Sequence, residues 1–111
     1  EMQRSLVGSE MCIRDRVTSD EPGVYIEGAY GIRIENEIEC VGDGETVSYT
    51  LLKFEPLTFV PIDLDLVDTA WLEKKDIERL NAYHAAVYSR LSPHLSGEEL
   101  EFLKQYTRPV E

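Results

Sequence analysis

Between Val17 and Val60, apolar residues alternate with polar ones or gather in short β-branched and aromatic clusters, with glycine or proline every few positions. That period predicts strands at Val17–Asp20, Val24–Ile26, Ile32–Cys40 and Val47–Phe54. Breaks are expected at Pro22-Gly23, at Gly28 with Gly31, and at Gly42-Asp43-Gly44. The last reads as a hairpin turn joining Ile38–Val41 to Val47–Leu52. Phe54–Ile62 is apolar but carries Pro56 and Pro61, which suits an edge or extended crossing segment. Asp63, Asp65 and Asp68 then open a polar connection toward Trp71.

The period changes in the last third. Ile77, Leu80, His84, Val87, Tyr88 and Leu91 fall on one face of a helix, which Ser92-Pro93 closes. Ser96 followed by Glu99 has the form of a capping box that starts a second helix. Leu100, Leu103 and Tyr106 line one side of it, and Pro109 marks its end. Each helix is too short to be stable alone in water, so both stripes must pack on something. The expected class is α+β, with antiparallel strands followed by two helices.

Composition narrows the function classes. The chain has 111 residues, room for one small domain, and its 42% hydrophobic content supports a folded core. A net charge of −11 repels a phosphate backbone, which argues against nucleic-acid binding, and is mildly favourable for cations. No apolar run approaches the ~20 residues that span a bilayer. Two cysteines, Cys12 and Cys40, make no disulfide framework and fit a reducing compartment. Cys40 reads as a small buried apolar residue at a strand end. Residues 1–16 carry no steady period, and SLVGSEMCIRDR resembles translated sequencing-adapter sequence. They are read as a foreign leader, and the biological sequence is expected to be entered at Val17, in the middle of a longer protein.

Chemistry concentrates between Glu21 and Glu35. In a strand, Gly31, Arg33 and Glu35 share one face and Ile32 and Ile34 the other. Two glutamates from neighbouring strands can offer hard oxygen ligands to divalent ions, and an arginine beside them can hold a ligating carboxylate in place. Spacing alone fits this reading and also an ordinary surface Arg–Glu pair. The aspartates from Asp63 to Asp68 lack the glycine and distal glutamate of an EF-hand. His84 reads as a core-edge residue rather than a ligand, and Trp71, Tyr83 and Tyr88 as packing.

Residues 18–37, TSDEPGVYIEGAYGIRIENE, resemble the closing motif of the metallopeptidase family that includes aminopeptidase P and prolidase. In that family an E-P-G and an R-I-E glutamate are the last of five metal ligands. Glu21 and Glu35 fall on them, with Tyr25, Gly28, Gly31 and Arg33 in the intervening pattern. The resemblance implies that Glu21 binds one metal and acts as general base, that Glu35 bridges two, and that Arg33 orients the acidic ligands. It implies two divalent ions, manganese by expectation. Leu52–Ile62, Asp63–Asp68 and the Leu80–His84 helix are similar to the C-terminal extension of the long, cytosolic Xaa-Pro aminopeptidases. The implied fold is the last strands of a creatinase-like ("pita-bread") catalytic domain over 17–51, then a two-helix extension over 52–111.

The family's other ligands, two aspartates and a histidine, precede this motif and match nothing here. The chain itself is therefore expected to be inactive, while its parent cleaves peptides with proline at the second position in the cytoplasm. Prolidase and a non-catalytic creatinase-fold module are the competing readings. A homodimer of the parent through the tail is a further expectation, with Phe54, Phe59 and Trp71 partly exposed in the isolated chain.

Overall fold

A computed structural model of the chain describes residues 14–45, 48 and 50–111. Most of the expected foreign leader, Cys12 included, lies outside the described residues. The chain divides into two compact units, Glu1–Thr58 and Phe59–Glu111.

Among the described residues, the regular structure of the first unit is all strand. β1 (Val17–Asp20), β2 (Gly23–Ile26), β3 (Tyr30–Arg33), β4 (Asn36–Glu45) and β5 (Thr50–Pro56) form a three-stranded sheet in the order β1-β4-β5 and a separate β2-β3 hairpin. All pairings are antiparallel. The hairpin closes through Ala29 N–H to Ile26 C=O at 3.0 Å, with Gly28 at φ +72°, a left-handed value that glycine adopts without strain.

One long strand was expected over Ile32–Cys40, and two are found, β3 and β4. The two ladders keep a single register: Asp20 faces Asn36, and Gly23 faces Arg33. No residue is skipped between them, so Glu21 stands opposite Glu35 and Pro22 opposite Ile34. Ile34 N–H donates to Pro22 C=O at 3.1 Å. Proline has no N–H to return that bond, and the ladder is interrupted there.

The glycines of Gly42-Asp43-Gly44 do not make the turn. They lie inside β4, where the pairing with β5 shifts register between Gly42 and Glu45. Gly44, at φ +103°, supplies the backbone shape of that bulge. Glu45 pairs with Thr50 across the ladder, and Val47 of the expected strand lies outside the described residues. Gly31 belongs to β3 rather than to a break. Cys40 is buried as expected, but in the middle of β4. Asp15 and Arg16 pair with it, through Asp15 N–H to Cys40 C=O at 2.8 Å and Cys40 N–H to Arg16 C=O at 2.9 Å.

The second unit is helical. Asp63 and Asp68 each accept from an amide two residues on, Asp65 and Ala70, both at 3.0 Å, and so cap short 3-10 turns at Leu64–Leu66 and Thr69–Trp71. α1 (Lys74–Leu91) and α2 (Gly97–Tyr106) follow, joined by a 3-10 turn at Ser92–His94. The expected stripe faces inward: His84 and Val87 are fully buried, and Leu103 of α2 joins Leu64 in the core. α1 opens with Asp76 accepting from the Glu73 amide at 3.2 Å.

The Ser96–Glu99 capping box is not made. Ser96 is the N-cap, but its side chain caps nothing. Gly97 follows at φ +58°, which turns the chain away from the path a capping hydroxyl needs. Trp71 does not pack as one reading expected and is 86% exposed, in line with the exposure expected of it and Phe54 in the isolated chain. It ends a short turn, and no apolar partner in this unit covers it.

Candidate functional site

The continuous register sorts the strand residues onto two faces. Pro22, Val24 and Ile26, opposite Ile34, Ile32 and Tyr30, make one face largely apolar. Glu21, Gly23 and Tyr25, opposite Glu35, Arg33 and Gly31, make the other polar. The hydrogen bond between Ile34 and Pro22 marks theirs as a hydrogen-bonded pair. Glu21 and Glu35, one position along, form the other kind of pair, in which side chains approach most closely.

Arg33 Nε donates to Glu35 Oε2 at 3.1 Å. Its guanidinium also hydrogen-bonds the Tyr25 hydroxyl. That bond, the charge of Glu35 and, least, the charge of Glu21 raise the Arg33 pKa above its ordinary value. One cation thus senses both glutamates. Like charges directly opposite on a ladder repel, and a single arginine balances one of the two. A polar face with surplus carboxylate oxygen suits a hard divalent cation. Among the described residues, however, no group of three or more His, Cys, Asp or Glu side chains converges to hold a metal.

Tyr25 is the residue whose part in this arrangement sequence reasoning did not assign. Its ring lies flat over two glycines. A Cβ built at Gly31 would stand 2.7 Å from Tyr25 Cδ1, and one at Gly23 would stand 2.6 Å from its hydroxyl oxygen. Glycine at both positions lets the ring cross the face and bring its hydroxyl to Arg33. The available signal was the pair of glycines flanking Tyr25 on the same face.

The other candidates lie in the helical unit and take structural parts. His84 accepts a backbone hydrogen bond, and Asp63 and Asp68 cap turns. Among the described residues, no helix is long and apolar enough to cross a membrane.

Comparison with known proteins decides the family. Residues 50–110, more than half of the chain, match the family model described as the C-terminal region of peptidase_M24. The chain belongs to the M24 peptidase family. Aminopeptidase P2 of Arabidopsis thaliana is 42% identical over 99 residues, covering 85% of this chain and 14% of that protein. Xaa-Pro aminopeptidase 2 of Homo sapiens is 35% identical over 97 residues, 84% of this chain and 14% of that protein. Among solved structures, the X-prolyl aminopeptidase of Caenorhabditis elegans, a cytosolic enzyme with a di-nuclear active site, superposes with a TM-score of 0.74. It is 37% identical, over 86% of this chain and 16% of that one. The chain spans about one-sixth or less of the length of these M24 relatives, and its mixed strands and two helices correspond to the C-terminal region of the family.

Proposed function

We propose that the complete protein to which this M24 region belongs is an Xaa-Pro aminopeptidase that hydrolyses the peptide bond before a proline at the second position. The observation that carries this reading is the placement of Glu21 opposite Glu35, with Arg33 bonded to the second and sensing the first. The relatives named Xaa-Pro aminopeptidase and the di-nuclear neighbour support it. In this reading 17–51 ends a creatinase-like, pita-bread catalytic domain, 52–111 is its C-terminal extension, and 1–16 is a foreign leader.

The donor set fits a shared metal centre in part: two carboxylates that face each other, one steadied by an arginine. Glu21 and Glu35 would hold two divalent ions, manganese in our assignment, together with ligands from outside this chain. Such ions, when bound, polarise a scissile carbonyl and lower the pKa of the attacking water. Glu21 takes a proton at a carboxylate oxygen. Glu35 would offer its carboxylate to that centre, and Arg33 fixes its orientation through the Nε–Oε2 bond. Tyr25 holds Arg33 from the other side. The chain alone, with two ligands, is expected to be inactive. The complete protein is expected to be cytoplasmic and homodimeric.

The test uses the complete reading frame. Glu21→Ala and Glu35→Ala should each abolish hydrolysis of an Xaa-Pro peptide, leave the circular dichroism spectrum unchanged, and lower the bound metal measured by elemental analysis. A normal rate in either variant would refute the assignment. A normal metal content with lost activity would keep the residues in catalysis and remove them from the ligand set.

A further inference from the structure

The α1 stretch Asn81–His84 carries three polar side chains that the proposed chemistry leaves unused. Each holds a backbone segment outside the helices. The Tyr83 hydroxyl donates to Val60 C=O at 2.7 Å and accepts from Val60 N–H at 3.4 Å. Asn81 grips Val110 from both sides, donating to its C=O and accepting from its N–H, each at 2.9 Å. His84 Nε2 accepts from Ile62 N–H at 2.9 Å.

The third bond differs from the others in kind. An imidazole nitrogen accepts a hydrogen bond only through a bare lone pair, so Nε2 carries no proton and the neutral ring has its proton on Nδ1. His84 is fully buried, and among the described residues Nδ1 has no hydrogen-bond partner. A second proton would set N–H against N–H at Ile62 and place a charge in the interior with no acceptor for either donor. Asn81 and Tyr83 face no such conflict in the neutral range.

We propose that His84 is a proton-operated latch: neutral, it pins Ile62 to α1; protonated, it releases that bond and loosens the helical unit. Of the charged groups around it, Arg108 opposes protonation. Arg108, in the segment after α2, adds a positive charge, and its own ion-pair partner is Asp65 at 3.7 Å. Asp63, next to the latched amide, is engaged with the Asp65 amide. Tyr83 lies beside the ring, 5.8 Å between centroids. Burial first, then Arg108, lowers the imidazole pKa below its ordinary 6.5. A depressed folded value means the contribution is intact above pH 6.5 and is lost as pH falls from there through the folded value. Carboxylates titrate mostly below this window.

Helical circular dichroism of the full chain reads this unit, because among the described residues both α-helices belong to it. Urea unfolding is followed between pH 8 and pH 5. The unfolding constant should be flat above pH 7 and rise by up to about tenfold per pH unit below 6.5. In His84→Gln, whose amide oxygen can accept from Ile62 without titrating, the rise should be much reduced. Equal slopes in the two proteins overturn the proposal. If His84→Gln does not fold, the wild-type ring resonances decide. A His84 titration midpoint below 6.5 with the proton on Nδ1 supports the latch, and a midpoint at or above 6.5, or a proton on Nε2, overturns it. The exposed His94 serves as the internal reference.

Discussion

The two units use their apolar residues in opposite ways. The helical unit closes Leu64, His84, Val87, Leu103 and Thr107 away from solvent. Among the described residues of the strand unit, Cys40 alone is buried. Its hairpin leaves Val24 64% and Ile32 60% exposed, and both faces of that ribbon are open. Helices and short turns can fold their apolar stripes inward within one compact unit, whereas a sheet must find a second layer. Net backbone hydrogen bonding adds roughly 1 kcal/mol per bond, about what ordering one residue costs. Without apolar burial, pairing alone leaves such a ribbon marginal. The lesson is that register and stability are separable: the strand residues carry a well-defined pairing with little apolar burial of their own.

Amide exchange gives the widest contrast. Exchange at Val87 in α1 should be slower than at the ladder residue Ile32 by about a hundredfold or more, the span between core and loosely held structure. Equal protection would break the comparison. Core truncation sharpens it: Leu103→Ala should cost about 3 kcal/mol in urea unfolding, as buried leucines do. Ile32→Ala should cost under about 0.5 kcal/mol, as exposed substitutions do. A smaller loss, about 1–2 kcal/mol, is expected for Asn81→Ala, which strips both atoms of Val110 of their partner. Smallest of all is Trp71→Ala, within about 0.5 kcal/mol, because the indole is mostly in solvent.

Legibility followed the same division. The stripe from Ile77 to Leu91 predicted a buried helix face, and His84 and Val87 are its most buried members. Helical periodicity is a local signal that burial in one compact unit reinforces. The strand unit was harder to read because its breaks depend on partners. Pro22 interrupts the ladder by failing to bond back to Ile34, a fact visible only once register is known. Gly42 and Gly44 looked like a turn and form a bulge, because glycine serves both and the pairing with β5 decides. At the candidate site, alternation alone put Arg33 and Glu35 on one face, and they are bonded. That Glu21 faces Glu35, and that Tyr25 completes the row through Arg33, required the cross-strand register and the open surface of two glycines.

The double grip of Asn81 on Val110 has a consequence for exoproteolysis. A carboxypeptidase works on a free, extended end, and it can remove the exposed Glu111 without disturbing any hydrogen bond of this clamp. The next residue presents an amide and a carbonyl already occupied by one helix side chain. Trimming should pause at Val110, so the length of chain surviving such digestion reports whether α1 is folded.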